Sequence, residues 1–171
     1  MRAQLCGRIS SADGFASKYL PDHDDVFAEI DLRVPQAQFV FLTRIASVAA
    51  DFQKRVDRAF CNAGLRATDH VVLLRHTYNF DYWNLNLVPD VFLESLELSG
   101  CNSTMEAIAC KLPVVTTPGR FMRGRHSSAI RTQLGMGDSV ARNKRVYVEY
   151  AVRLCRNREV RDSVIRRIND S

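Results

Sequence analysis

Ser103, Thr104 and Glu106 crowd the beginning of "SGCNSTMEAIAC", where a Gly turn leads into a short apolar helix. The first turn of a helix presents backbone N–H groups without intrahelical acceptors, and together with the helix dipole they form a natural seat for phosphate. Hydroxyls at Ser103 and Thr104 would add donors beside Asn102, and the Glu106 carboxylate could accept from the cis hydroxyls of a ribose. The same spacing equally fits a capping box, with Ser103 as the cap and Glu106, three residues on, bonding back to the cap N–H. Spacing leaves both readings open.

Two other places could serve an anionic ligand. "PGRFMRGRHS" sets Arg120, Arg123, Arg125 and His126 after a Pro-Gly turn, a cluster suited to a pyrophosphate or to a solvated basic loop. Lys18, in "SKYLPDHDD", could reach a phosphate or simply face water. His23, His70, His76 and His126 show no HxxH or HExxH spacing, so no metal site is expected. GxGxxG, GxxxxGK[ST] and GxSxG are all missing, which removes the main sequence support for a simple Rossmann dehydrogenase, a P-loop NTPase or an α/β-hydrolase.

The elements that must position these residues alternate. "FVFL" and "HVVLL" are too short for helices and read as buried strands. Between them Val48, Phe52, Val56, Ala59 and Phe60 recur at helical spacing up to Gly64, a helix-stopping residue. That is a βαβ unit, which implies parallel strands. A helix over "DHDDVFAEIDLRVP" precedes it; "NFDYWNLNLVP" reads as a short amphipathic segment, "DVFLES" and "PVVTT" as strands, and "STMEAIAC" as a helix between them. Further helices follow over "SSAIRTQLG" and "NKRVYVEYAVRLCRNREVRDSVIRRI", the latter broken near Asn157. "AQLCGRIS" is a weaker strand, supported by Leu5, Cys6 and Ile9. The pattern predicts one α/β domain over 1–171 with a doubly wound parallel sheet, whose ligand would lie at the C-terminal ends of the strands, after Ile9, Leu42, Leu74, Leu93 and Thr116.

Bulk composition sets bounds on partners. At 171 residues and 46% hydrophobic, the chain can bury a core without disulfides or metals. A net charge of +5 favours an anionic ligand without requiring nucleic acid, and no RNA- or DNA-binding motif appears. Five scattered cysteines without a CxxC pair read as buried small hydrophobes in a reducing compartment. With no apolar leader and no membrane-length run, a cytoplasmic protein without membrane attachment is expected.

"SKYLPDHDDVFAEIDLRVPQAQFVFL" and "DVFLESLELSGCNSTMEAIACKLPVVTTPGRFMRGRHSSAI" closely resemble the C-terminal half of the catalytic region of Spindly-type protein O-GlcNAc transferases. Bacterial members typically read "KYLPxHDxVFAxI", "DVFLDT", "SGGNTTLEALACGLPVVTLPGxxMRGRHS" and "YVxxAVRL", the last matched here by "YVEYAVRL" at Tyr147 to Leu154. The resemblance covers the chain from about Lys18 onward.

It implies a Rossmann-like half of a GT-B glycosyltransferase that binds the donor UDP-GlcNAc, in a family that transfers the sugar to Ser or Thr of acceptor proteins without a metal or other cofactor. Lys18 resembles the lysine that contacts the diphosphate and supports the leaving group; Asn102, Ser103 and Thr104 resemble the segment that holds the diphosphate, and Glu106 the acid on the ribose. Tyr82 is a further candidate donor contact. The family's tetratricopeptide repeats, which hold acceptor proteins, and its N-terminal GT-B half have no counterpart in 1–171. The expectation is therefore donor binding without transfer by this chain alone, the alternative being a non-catalytic interaction domain that keeps the fold and self-associates or awaits a partner half. The sequence departs from the family pattern at Cys101 and Lys111, both glycine positions, at Pro89, at Glu94–Ser95 in place of Asp-Thr, and in "SSADGFAS" where a glutamine is usual.

Overall fold

Among the described residues, five parallel strands lie in the order β3-β2-β1-β4-β5. They are β1 (Arg8–Phe15), β2 (Gln38–Thr43), β3 (Val71–Arg75), β4 (Val91–Leu93) and β5 (Val114–Val115). The structure, a computed structural model, describes the backbone of residues 8–75 and 79–171 and the side chains of 16–75 and 83–171. Helices α1 (Asp25–Arg33) and α2 (Ala46–Asn62) link β1 to β2 and β2 to β3; α3 (Asn79–Asn86) and α4 (Asn102–Ala109) make the remaining crossovers. After β5 come α5 (His126–Gln133), α6 (Lys144–Arg156) and α7 (Arg158–Asp170).

The core divides between the two faces of the sheet. On one, Phe27 of α1 and Phe52 and Phe60 of α2 meet Phe39 and Phe41 of β2, with Tyr147, Val148 and Ala151 of α6 in the same cluster. Their rings cross edge to face, as at Phe27–Phe41 with centroids 5.0 Å apart, the arrangement that aromatic quadrupoles favour. On the other face Phe92, Ala107, Leu112 and Val114 form a smaller cluster.

Helix ends follow local chemistry. Gly64 takes a φ of +75° where α2 stops, and Gly64 N–H donates to Cys61 O while Leu65 N–H donates to Phe60 O, a Schellman closure. Asn157 separates α6 from α7 as expected, its side chain accepting from Val160 N–H at 3.1 Å.

Some expectations are corrected. The first strand is Arg8–Phe15, extending well past Ile9; of "AQLCGRIS", residues 3–7 lie outside the described residues. β1 is the central strand: Ile9 and Ser10 are paired on both edges, with β2 and with β4, Phe15 pairs again with Leu42 of β2, and the register shifts across the polar stretch between Ser10 and Phe15. The strands read from "DVFLES" and "PVVTT" shrink to Val91–Leu93 and Val114–Val115. The cysteines are not uniformly buried: Cys155 is, but Cys61 and Cys101 are exposed and Cys110 is half-buried. Cys61 lies on the outer side of α2 and Cys101 stands at the turn before α4, places where a small thiol need not be covered. Among the described residues no helix is long and apolar enough to cross a membrane, and no cluster of His, Cys, Asp or Glu could hold a metal ion.

Candidate functional site

From β1 the chain winds outward one way through β2 to β3, and β4 starts the other wing, so β1 and β4 flank the point where strand order reverses. Crevices form at such points beyond the C-terminal strand ends. Lys18 follows β1 there, and the start of α4 follows β4.

The Lys18 segment is braced from below. Tyr19 is buried among Phe27, Phe41 and Phe52, and its hydroxyl donates to Leu93 O of β4 at 3.4 Å. Arg55 of α2 grips Asp24 through two charge-assisted bonds of 2.8 and 2.6 Å and also donates to Tyr19 O at 2.7 Å. Half-buried Lys18 thus sits on a fixed turn.

On the β4 side the organiser is Glu94, which is buried. Its Oε1 accepts from Gly100 N–H at 2.5 Å and from the Ser99 hydroxyl at 3.0 Å, and its Oε2 from the Thr116 hydroxyl at 2.5 Å. The Ser127 hydroxyl also points to Oε1. Thr104 Oγ1 lies 3.2 Å from Glu94 Oε1, 3.0 Å from Gly100 O and 2.5 Å from Ser127 Oγ. Thr104 is fully buried, so its hydroxyl works inside the loop, and a ligand would meet this residue through its main chain.

α4 begins at Asn102, with Cys101 as its N-cap and no side-chain cap bond. Ser103 is therefore inside the first turn, which corrects the capping-box alternative: a cap must stand outside the helix to accept from the N–H groups beyond it. Cys101 has φ −92°, a conformation open to any L residue, so the loss of glycine there imposes no backbone strain. Asn102 is exposed, while Ser103 and Glu106 are half-buried and, three residues apart, share one side of the helix. Burial pushes the Glu106 carboxyl above its ordinary value, and burial followed by the nearby Glu106 charge pushes the Cys110 thiol up as well. Tyr82 belongs to α3, between β3 and β4, and its side chain lies outside the described residues.

The arginine cluster divides. Arg125 Nε donates to Gly119 O at 2.9 Å, whereas the exposed Arg120 and Arg123 lie over the Phe121 ring, 5.2 and 4.8 Å from its centroid. The loop is fixed against the chain before α4: Ser99 N–H donates to Arg123 O at 2.8 Å, and Gly124 packs so closely that a Cβ would stand 2.8 Å from Glu97 O. Between Glu106 and Asp138 the sequence has no acidic residue, but the Glu97 carboxylate reaches this loop and accepts from Arg120 N–H at 3.2 Å.

The sequence assigned no site role to Tyr19, Asp24 and Arg55, and marked Glu94 only as a departure from the family pattern. A carboxylate directly after the apolar run "VFL", with hydroxyl residues downstream at Ser99, Thr104, Thr116 and Ser127, was the available signal for Glu94.

Neither protein-family models nor curated proteins give a match to this chain. Among solved structures, a mutant O-GlcNAc transferase from Thermobaculum terrenum aligns with 99% of this chain, with a TM-score of 0.84 and 24% identity, over 32% of its own length. The pneumococcal O-GlcNAc transferase GtfA, in complex with UDP and GlcNAc, aligns with 99% of this chain, with a TM-score of 0.57 and 16% identity, over 33% of its own length. The fold is thus that of part of a GT-B glycosyltransferase, an α/β unit with parallel strands. The chain spans about a third of the length of those two transferases.

Proposed function

We propose that this chain is the donor-binding, C-terminal half of the catalytic region of a protein O-GlcNAc transferase, with UDP-GlcNAc as its ligand. The observation that supports it most is the placement of Lys18 and a braced helix start on the two neighbouring strands of the switch point. The diphosphate would lie over the first turn of α4, received by the main chain of Asn102, Ser103 and Thr104 and the Ser103 hydroxyl. Lys18 would face it from the β1 side. Glu106, sharing a helix side with Ser103, would take the ribose hydroxyls, and Tyr82 is the remaining candidate contact.

Sugar transfer leaves negative charge on the departing UDP. Prearranged N–H, hydroxyl and ammonium groups stabilise such charge at no reorganisation cost, so the reading assigns no role to a metal. Acceptor contacts and a catalytic base would come from other parts of a complete enzyme, and transfer by this chain alone is not expected. Calorimetric titration with UDP tests the reading: saturable binding supports it, and heat no greater than dilution at millimolar UDP contradicts it.

A protein-interaction domain that keeps this fold is the second reading, favoured by Val72 and Leu74, 37% and 39% exposed on edge strand β3. Self-association on a sizing column without UDP affinity would support it.

A further inference from the structure

We propose that Glu94 is a positioning residue of the donor site: its buried carboxylate holds Gly100 and the first turn of α4 in the geometry that receives a diphosphate. This rests on the donor-binding reading above.

Glu94 is anchored before its side chain begins to act. Its N–H donates to Val115 O of β5 at 3.0 Å, and its carbonyl accepts from the Tyr147 hydroxyl of α6 at 2.7 Å. The carboxylate then reaches up from a fixed strand end into the loop above. An ionised carboxylate only accepts, and Gly100 N–H and the hydroxyls of Ser99, Thr104, Thr116 and Ser127 can all donate to it. Gly100 stands just ahead of the Cys101 cap, so the bond to its N–H sets where α4 starts.

The same group extends its hold to α5. Ser127 N–H donates to Ser99 Oγ at 2.9 Å and Ser127 Oγ lies 2.6 Å from Gly100 O, which ties the beginning of α5 to the loop before α4. Thr116 brings in the segment after β5. Three segments at the C-terminal edge of the sheet therefore meet at one side chain that would itself touch no donor.

Glu94→Gln keeps the shape, removes the charge and replaces one acceptor oxygen with an amide donor, so a hydroxyl facing that nitrogen must turn to accept and the bonds from Gly100 N–H and the other hydroxyls lose their charge assistance. The test compares wild type, Glu94→Gln and, as a milder variant that removes a single partner, Thr116→Val, by calorimetry with UDP and by amide hydrogen exchange. In Glu94→Gln we expect faster exchange over 100–105, unchanged protection in α2 and β2, and UDP affinity lower by about tenfold or more, the loss that follows when a buried charge-assisted bond is removed. Thr116→Val should shift both readouts in the same direction by less. Should Glu94→Gln not fold, Thr116→Val decides by the same two readouts. Wild-type affinity together with wild-type exchange over 100–105 overturns the proposal, as does faster exchange spread evenly over α2 and β2. If wild type itself binds no UDP, the donor-binding reading falls, and local acceleration over 100–105 still decides whether Glu94 sets the start of α4.

Discussion

The Tyr19 hydroxyl donates to the carbonyl of Leu93 at 3.4 Å, joining the turn that carries Lys18 to the last residue of β4, directly before Glu94. The two segments that the donor-binding reading sets around the ligand thereby share a strand end. Tyr19→Phe keeps the ring among Phe27, Phe41 and Phe52 and deletes this bond. The expected loss is about 0.5–1.5 kcal/mol in urea denaturation, and a loss above about 3 kcal/mol would mean that the ring itself had been displaced.

Adjacent hydroxyls on α4 should behave differently. Thr104 is buried in the Glu94 network, so Thr104→Val should cost about 1–3 kcal/mol of stability by leaving buried partners unmet. Ser103→Ala, at a half-buried position inside the first turn, should change stability by less than about 0.5 kcal/mol while weakening UDP binding. Denaturation curves and UDP titrations of both variants check this, and the reverse assignment of effects would contradict it.

Lys111 has a φ of +61° at the residue after the α4 cap, closing a Schellman motif in which its N–H donates to Ile108 O and Leu112 N–H to Ala107 O. Left-handed backbone costs an L residue about 1–2 kcal/mol and glycine almost nothing. Lys111→Gly is therefore expected to stabilise the fold by about 1 kcal/mol, set by the balance of relieved strain against the greater freedom of glycine in the unfolded chain. A raised urea midpoint confirms it; a lowered one would show that the lysine side chain contributes more than the strain it imposes.

Buried Asp31 on α1 has its carboxyl raised above the ordinary 3.8, chiefly by burial, with His70 working in the opposite direction from 3.0 Å. A folded-state value above the unfolded one means that the contribution is fully present below pH 3.8 and is lost as pH rises through the raised value. The stability of wild type relative to Asp31→Asn should accordingly fall over an interval that begins near the ordinary carboxyl value of 3.8 and extends above it as pH rises. Urea midpoints of the two proteins measured across that interval provide the check, and a difference independent of pH would contradict it.

The wing of the fold from β2 to β3 was legible in the sequence because its apolar residues keep strict periods: Phe52, Val56 and Phe60 along α2 and Phe39 and Phe41 across β2. The break at Asn157 was legible for the same local reason, a capping residue between two periodic runs. The full length of β1 was not, because past Ile9 the strand runs through a polar stretch with an irregular register and no apolar pattern to announce it. At the candidate site, sequence alone marked the residues that would face a ligand, Lys18, Ser103 and Glu106. Glu94 stood out only as a departure from the family pattern and not as the carboxylate bonded beneath the start of α4, since its partners are scattered from Ser99 to Ser127 and meet through folding. Thr104 shows the same limit: its neighbour Ser103 has the same chemistry, and the turn of the helix decides which hydroxyl faces inward.

The most direct test of the central claim is calorimetric titration of UDP into wild type and the Lys18→Ala/Ser103→Ala double variant. The account predicts saturable binding by wild type and an affinity at least about tenfold lower in the double variant, about 1.4 kcal/mol or more. Equal affinity in the two proteins, or heat no greater than dilution with wild type at millimolar UDP, would contradict it.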